Sequence, residues 1–148
     1  MTTTTPPLGP RDIALAHYAG RALLENVLAR HGVTFQQSVT LRLVAVAEGP
    51  VDRSHLVESV VGSLKIDTTE AHSVVDELLA AQLLAPLEPS RVRITDAGRE
   101  LYGTTSAQTA PITARVYDGI PTEELAVAGR VLSLITERAN GELATLTK

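Results

Sequence analysis

The chain has no cysteine and no tryptophan, one phenylalanine and three tyrosines. Without thiols there can be no disulfide, no thiolate-bound metal and no cysteine redox switch within it. At 3% aromatic residues, the core has to be built from aliphatic side chains. No apolar run approaches the ~20 residues needed to span a bilayer, and the opening MTTTTPPLGP has neither the basic start nor the apolar stretch of a signal peptide. A cytoplasmic protein with no membrane partner is expected. Motifs of catalysis are also missing: there is no G-x-S-x-G, no glycine-rich phosphate loop and no H-E-x-x-H. His17, His31, His55 and His72 are not spaced as metal ligands. The expectation is a non-enzyme with no catalytic residues, no metal and no cofactor. Positive charge is scarce too, 13 Lys and Arg against 17 Asp and Glu, for a net charge of −4.

What the chain does have is a patterned stretch over residues 51–95, VDRSHLVESVVGSLKIDTTEAHSVVDELLAAQLLAPLEPSRVRIT. Ala71, Val74, Val75, Leu78, Leu79 and Leu83 recur at three- and four-residue spacing, which puts them on one face of a helix. Asp67 and Glu70 have the spacing of a capping box at its start. A preceding helix, capped by Asp52, would bury Leu56, Val60 and Val61, with a turn between the two at Gly62 and Ser63. Pro86 and Pro89 prevent the second helix from continuing, and Val92 and Ile94 alternate with Arg91 and Arg93 as in a half-exposed strand. A two-stranded hairpin turning at Glu88, Pro89 and Ser90 completes a helix-turn-helix with a wing. This stretch holds seven acidic residues (Asp52, Glu58, Asp67, Glu70, Asp76, Glu77, Glu88) and four basic ones (Arg53, Lys65, Arg91, Arg93). Any attraction to phosphates must come from the placement of those few cations, with protonated His55 and His72, because the overall charge opposes it.

The flanks read as helices. One is expected over residues 11–30, with Leu15, Ala19, Ala22, Leu23 and Val27 as its apolar stripe, Gly20 at a close helix contact, and His31-Gly32 at its end. Thr34 and Gln37 repeat the capping-box spacing ahead of Val39, Leu43, Val44 and Val46, and Glu48-Gly49-Pro50 breaks that helix. A further helix should begin at Asp96 with Leu101 and Tyr102 inward. Gly103-Thr104-Thr105-Ser106 and Pro111 then argue for a kink or break. After a turn at residues 117–121, Thr122 can cap a last helix whose buried face is Leu125, Ala128, Val131, Leu132, Ile135 and Ala139. These flanks carry more apolar surface than a 45-residue motif can cover, so a second copy of the chain is expected to cover it.

The segments VTFQQSVTLRLVAVAEGPVDRSHLVESVVGSLKIDTTEAHSVVDELLAAQLLAPLE, RVRITDAGRELY and PTEELAVAGRVLSLITERANGEL follow one another in that order. In order and spacing they resemble the MarR (multiple antibiotic resistance regulator) family of bacterial transcription factors. The first is similar to the family's capped helix, Gly-Pro break, helix-turn-helix and entry into the wing. The second matches the returning wing strand and the Leu/Ile-Thr-x-x-Gly start of the long dimerisation helix, and the third resembles the closing helix. The resemblance covers about residues 12–143. It implies a mainly α fold with a small β-hairpin wing, of the α+β class. A flexible tail would occupy residues 1–10, helical dimerisation regions 11–33 and 96–148, and the winged lobe 34–95.

The function the resemblance implies is that of a homodimeric repressor or activator on pseudo-palindromic double-stranded DNA, modulated by a small phenolic or aromatic ligand. By position, Thr68, Thr69, Glu70, His72 and Ser73 would face base edges. Ser54 and His55 would lie near phosphates, and Arg53, Arg91 and Arg93 would contribute phosphate contacts. The AHSVVDE stretch offers no arginine for bidentate guanine readout, and LAPLEPSRVRI lacks the family's Asp-x-Arg wing tip. Salt-sensitive binding or reading by shape would follow. His17, Tyr18, Arg21 and Tyr102 are the candidates for lining an effector pocket. The alternative reading is a winged-helix dimer that binds a protein or a ligand without binding DNA.

Overall fold

The structure is a computed structural model that describes residues 4–147. Of the expected tail, residues 1–3 lie outside the described range, and residues 4–9 form neither helix nor strand. Six helices and three short strands follow among the described residues: α1 (Pro10–Ala29), α2 (Phe35–Ala45), β1 (Val51–Asp52), α3 (Arg53–Leu64), α4 (Thr68–Ala80), β2 (Leu84–Leu87), β3 (Arg91–Ile94), α5 (Asp96–Tyr117) and α6 (Thr122–Leu146). They fall into two compact units, Met1–Ile112 and Thr113–Lys148. None of the helices is long and apolar enough to cross a membrane.

The starts of the helices follow from local chemistry. Thr34 accepts a hydrogen bond from the Gln37 amide at 3.1 Å, and the Gln37 side chain accepts one from the Thr34 amide at 3.1 Å, a complete capping box for α2. A Thr34→Ala substitution should cost about 1 kcal/mol in denaturant unfolding. At α4 only half of the expected box forms. Asp67 takes the Glu70 amide at 2.7 Å, whereas the Glu70 carboxylate turns to Gln36 Nε2 on α2, 3.1 Å away.

Several boundaries differ from those the sequence suggests. α3 runs through Gly62 and Ser63, and the turn comes later, with Lys65 in the left-handed conformation at φ 58°. Asp52 does stand ahead of α3 but makes no side-chain cap; its carboxylate accepts instead from the Ser54 hydroxyl at 3.2 Å. α5 is one uninterrupted helix. Two of its threonines bond back to the preceding turn, Thr105 Oγ1 to the Leu101 carbonyl at 2.9 Å and Thr109 Oγ1 to the Thr105 carbonyl at 2.7 Å, so these hydroxyls are satisfied within the helix. Pro111 is accommodated within it. In α6 Thr122 is the first helical residue and Pro121 occupies the cap position, so Thr122 does not cap it.

The wing is a three-stranded antiparallel sheet in the order β1-β3-β2, not a bare hairpin. Val51 pairs with Val92 and Asp52 with Arg91, and the Arg53 amide extends the pairing with a 2.9 Å bond to the Ser90 carbonyl. β2 lies at the edge, where Pro86 opposite Val92 is tolerated. Along β3, Val92 is buried while Arg91 and Arg93 face outward, as the alternation predicts.

The core of the first unit joins Leu41 and Val44 of α2, Leu56, Val57 and Val60 of α3, Ala71, Val74, Val75 and Leu78 of α4, and Leu84 and Val92 of the sheet. Leu101 and Tyr102 of α5 pack against its edge. Thr40, fully buried, returns its hydroxyl to the Gln36 carbonyl at 2.9 Å. At the entry to α5, Thr95 Oγ1 donates to the Gln82 carbonyl at 2.7 Å and accepts from the Gly98 amide at 3.0 Å. A Cβ on Gly98 would come within 2.2 Å of the Leu83 carbonyl oxygen, which explains a glycine three residues after that threonine.

α1 and α6 behave differently. In α1 only Val27 and Leu28 are buried, whereas Leu15 and Leu23 are exposed. A Cβ on Gly20 would meet nothing within 4 Å, so no close contact inside the chain explains that glycine. In α6 no residue is buried, and Val127, Val131, Leu132, Leu134, Ile135 and Leu143 are all exposed.

Candidate nucleic-acid interface and effector cleft

The exposed side of α4 is set by what the other side must bury. With Ala71, Val74, Val75 and Leu78 in the core, Thr68, Thr69, Glu70 and Ser73 are left in solvent, and His72 is half-buried at the margin. Ser54 and His55 are exposed in the first turn of α3. Arg91 and Arg93 extend from the outer face of β3; Arg91 Nη2 donates to the Glu88 carbonyl at 3.3 Å, while the Arg93 side chain has no partner among the described residues.

Arg53 is held by α4. Its Nη2 donates to Asp76 Oδ1 at 2.8 Å and to the His72 carbonyl at 3.4 Å, and Nε and Nη2 lie 3.3 and 3.2 Å from His72 Nδ1. Its side chain is 28% exposed. Two residues expected to act separately on DNA therefore hold one another, and Asp76, which the sequence reading placed only among the acidic residues, neutralises the arginine. His72 and Asp76 are four residues apart, on one side of a helix, which is the signal that could have suggested a shared partner.

The same chemistry limits the start of α4 as an anion site, because the Asp67 carboxylate already occupies the Glu70 amide. Apart from Arg53, the cations of the lobe form no ion pair among the described residues: Arg91 and Arg93 on the wing, Arg42 on α2 and Lys65 after α3.

A cleft of about 620 Å³ opens between the end of α1, α4 and α5. Val33, Leu78, Leu83 and Leu101 are among its apolar walls, and Glu77 and Glu100 its carboxylates. His31 also lines it, with Nε2 hydrogen-bonded to Gln108 Oε1 at 2.9 Å. Of the four residues expected at an effector pocket, none lines this cleft: His17 and Arg21 meet at the Phe35 ring, with Tyr18 beside His17, and Tyr102 packs elsewhere. Tyr18 is 65% exposed, His17 lies edge-on to Phe35 at 6.3 Å, and Tyr102 packs at the core margin. Arg21 stacks over the Phe35 ring at 4.2 Å, pairs with Glu25, and borders a second, smaller cleft of about 440 Å³. Among the described residues, no group of histidines and carboxylates is arranged to hold a metal ion.

No protein-family model matches the chain and no curated protein is similar to it in sequence. Solved structures do match it. A transcriptional regulator of the MarR family from Rhodococcus sp. RHA1 superposes with a TM-score of 0.70 at 19% identity, over 88% of this chain and 96% of that one. CouR from Rhodococcus jostii RHA1, bound to p-coumaroyl-CoA, gives 0.70 at 18% identity over 84% and 88%. NadR in complex with 4-hydroxyphenylacetate gives 0.72 at 18% over 88% and 96%. At these identities the likeness is one of architecture: the chain has the winged-helix fold of the MarR-family transcriptional regulators.

Proposed function

We propose that the chain is a MarR-type transcriptional regulator that binds pseudo-palindromic double-stranded DNA as a homodimer and responds to a small ligand. The observation that carries this reading is the pairing of a polar, core-anchored helix face with an outward-facing arginine pair. α4 exposes Thr68, Thr69 and Ser73, and Arg91 and Arg93 project from β3 of the wing. A helix of this kind fits the major groove, and wing cations add sequence-independent affinity. Exposed leucines on α1 and the unburied apolar face of α6 support a symmetric dimer, which would present two such lobes to two half-sites. His55 and, beside its bond to Asp52, Ser54 are exposed where the DNA backbone would approach, whereas Arg53 orients α4 through Asp76 and His72. In this reading residues 34–95 form the DNA-binding lobe and the helices on either side of it serve dimerisation. Relatives in fold that hold p-coumaroyl-CoA and 4-hydroxyphenylacetate support an effector with an aromatic body.

Selection of genomic fragments by the purified protein at two salt concentrations tests this reading. A short, inverted-repeat site enriched at low salt is the expected result. Replacing Arg91 and Arg93 with alanine should weaken binding about tenfold on every sequence and lower the salt slope by about one for each arginine that contacts a phosphate. Identical affinity and slope in the variant would remove the wing from the interface.

A second reading has an observation of its own. Asp76 neutralises Arg53, and Glu70 and Glu77 lie on the same helix, so α4 presents an acidic surface suited to a protein partner. That reading predicts no enrichment of any DNA fragment at low salt.

A further inference from the structure

The cleft beside α4 has a charge that restricts what can occupy it. Of its lining residues, Glu77 on α4 and Glu100 on α5 are carboxylates, and no lysine or arginine lines it. Glu77 receives one weak hydrogen bond, from Gln37 Nε2 at 3.4 Å, both glutamates are exposed, and among the described residues neither is in an ion pair. The other titratable lining group, His31, is engaged with Gln108. Beneath the carboxylates lie Val33, Leu78, Leu83 and Leu101. The volume, about 620 Å³, suits a molecule of one ring with a short side chain and leaves room for water.

The geometry points to an amphipathic cation as the occupant of this cleft, an ammonium or quaternary ammonium on an aromatic or branched aliphatic body. The apolar body covers the leucine and valine floor, and the positive head lies between Glu77 and Glu100. A carboxylate ligand would bring a third negative charge into a site that offers no cation to meet it, at a cost in desolvation with no compensating pair. The chain thus departs in ligand charge from the fold relative that holds 4-hydroxyphenylacetate. Because Glu77 stands on the helix proposed to read DNA, occupancy of the cleft acts directly on that helix. This regulatory consequence rests on the proposed DNA-binding function; the binding of a cation does not.

The two are tested apart. Benzyltrimethylammonium and phenethylamine are titrated calorimetrically into the full chain without DNA, with 4-hydroxyphenylacetate and benzyl alcohol as the anionic and neutral comparisons. Both cations are expected to bind at least tenfold more tightly than either comparison, and tenfold more weakly to the Glu77→Gln, Glu100→Gln double variant. Glutamine preserves shape and hydrogen bonding, and an unchanged circular dichroism spectrum and melting temperature certify the fold of the variant. Preference for 4-hydroxyphenylacetate, absence of cation binding, or cation binding indifferent to the double substitution would each overturn the assignment. Fragment selection, which uses no ligand, reports on DNA binding independently.

Discussion

Alanine at Gly98 should destabilise the protein by about 3 kcal/mol, seen as a fall of roughly 10 °C in melting temperature. The added methyl would sit 2.2 Å from the Leu83 carbonyl oxygen and 2.9 Å from Ile94 Cγ1. Neither neighbour can retreat cheaply. The Leu83 backbone is fixed by the Thr95 amide, which donates to its carbonyl at 3.1 Å, and Ile94 pairs with Leu84 in the sheet. Relief would have to separate α5 from the strand entering the wing. Gly103, in the same helix, provides the contrast. A Cβ there meets nothing within 4 Å, so Gly103→Ala should raise stability by about 0.5–1 kcal/mol through helix propensity alone. Urea unfolding of the two variants measures both, and equal small effects would mean that the close approach of α5 to Leu83 does not exist in solution.

Glutamate at Leu132 and Ile135 together should convert the proposed dimer into a monomer, raising the dissociation constant by a factor on the order of a thousand. Leu125, Ala128, Val131, Leu132, Ile135 and Ala139 fall on one side of α6, and none of them is buried within the chain. An apolar face of this length is a liability in a monomer, and a symmetric partner presenting the same face removes it from water. Two carboxylates placed in that seam would have no opposing cation among the residues of the stripe, so their desolvation would be uncompensated. Arg130→Glu, away from the stripe, should leave assembly unchanged. Light scattering coupled to size exclusion gives the mass directly. A wild-type chain that elutes as a monomer, or a double variant that keeps the wild-type mass, would refute the dimer seam.

Much of the fold was legible in the chain because its determinants are local. Thr34 and Gln37 lie within one turn of each other, and the hydrogen bonds that join them depend on nothing beyond that turn. The α4 periodicity correctly identified Ala71, Val74, Val75 and Leu78 as core, and the alternation of Arg91 to Ile94 correctly identified the outward arginines. Errors arose where local preference and long-range packing compete. Gly62 and Ser63 are turn-forming residues, yet Leu56, Val57 and Val60 hold α3 together against the core and move the turn to Lys65. Gly103 and Pro111 weaken α5 on propensity scales, but propensity is a small term beside the packing of Leu101 and Tyr102 and the back-bonded threonines. β1 is only two residues long, too short to show any alternation, and exists because Val51 lies opposite Val92.

The candidate site divides along the same line. Which side of α4 faces solvent could be read from its apolar spacing, and the shortage of cations from composition. That Arg53 is bound to His72 and Asp76, 19 and 23 residues away, could not, since no periodicity links separate helices. By itself the sequence determined the order of the helices, the buried face of α4, the outward arginines of the wing and a surplus of apolar surface on α1 and α6, because each follows from side chains within a few residues of one another. Only the tertiary structure decided that Arg53 stays with α4, that Gly98 must lack a side chain, that a third strand completes the wing and that Glu77 and Glu100 line one cleft. Those relations come into being when α2 to α5 close on their common core, and they depend on distances across it that no local pattern encodes.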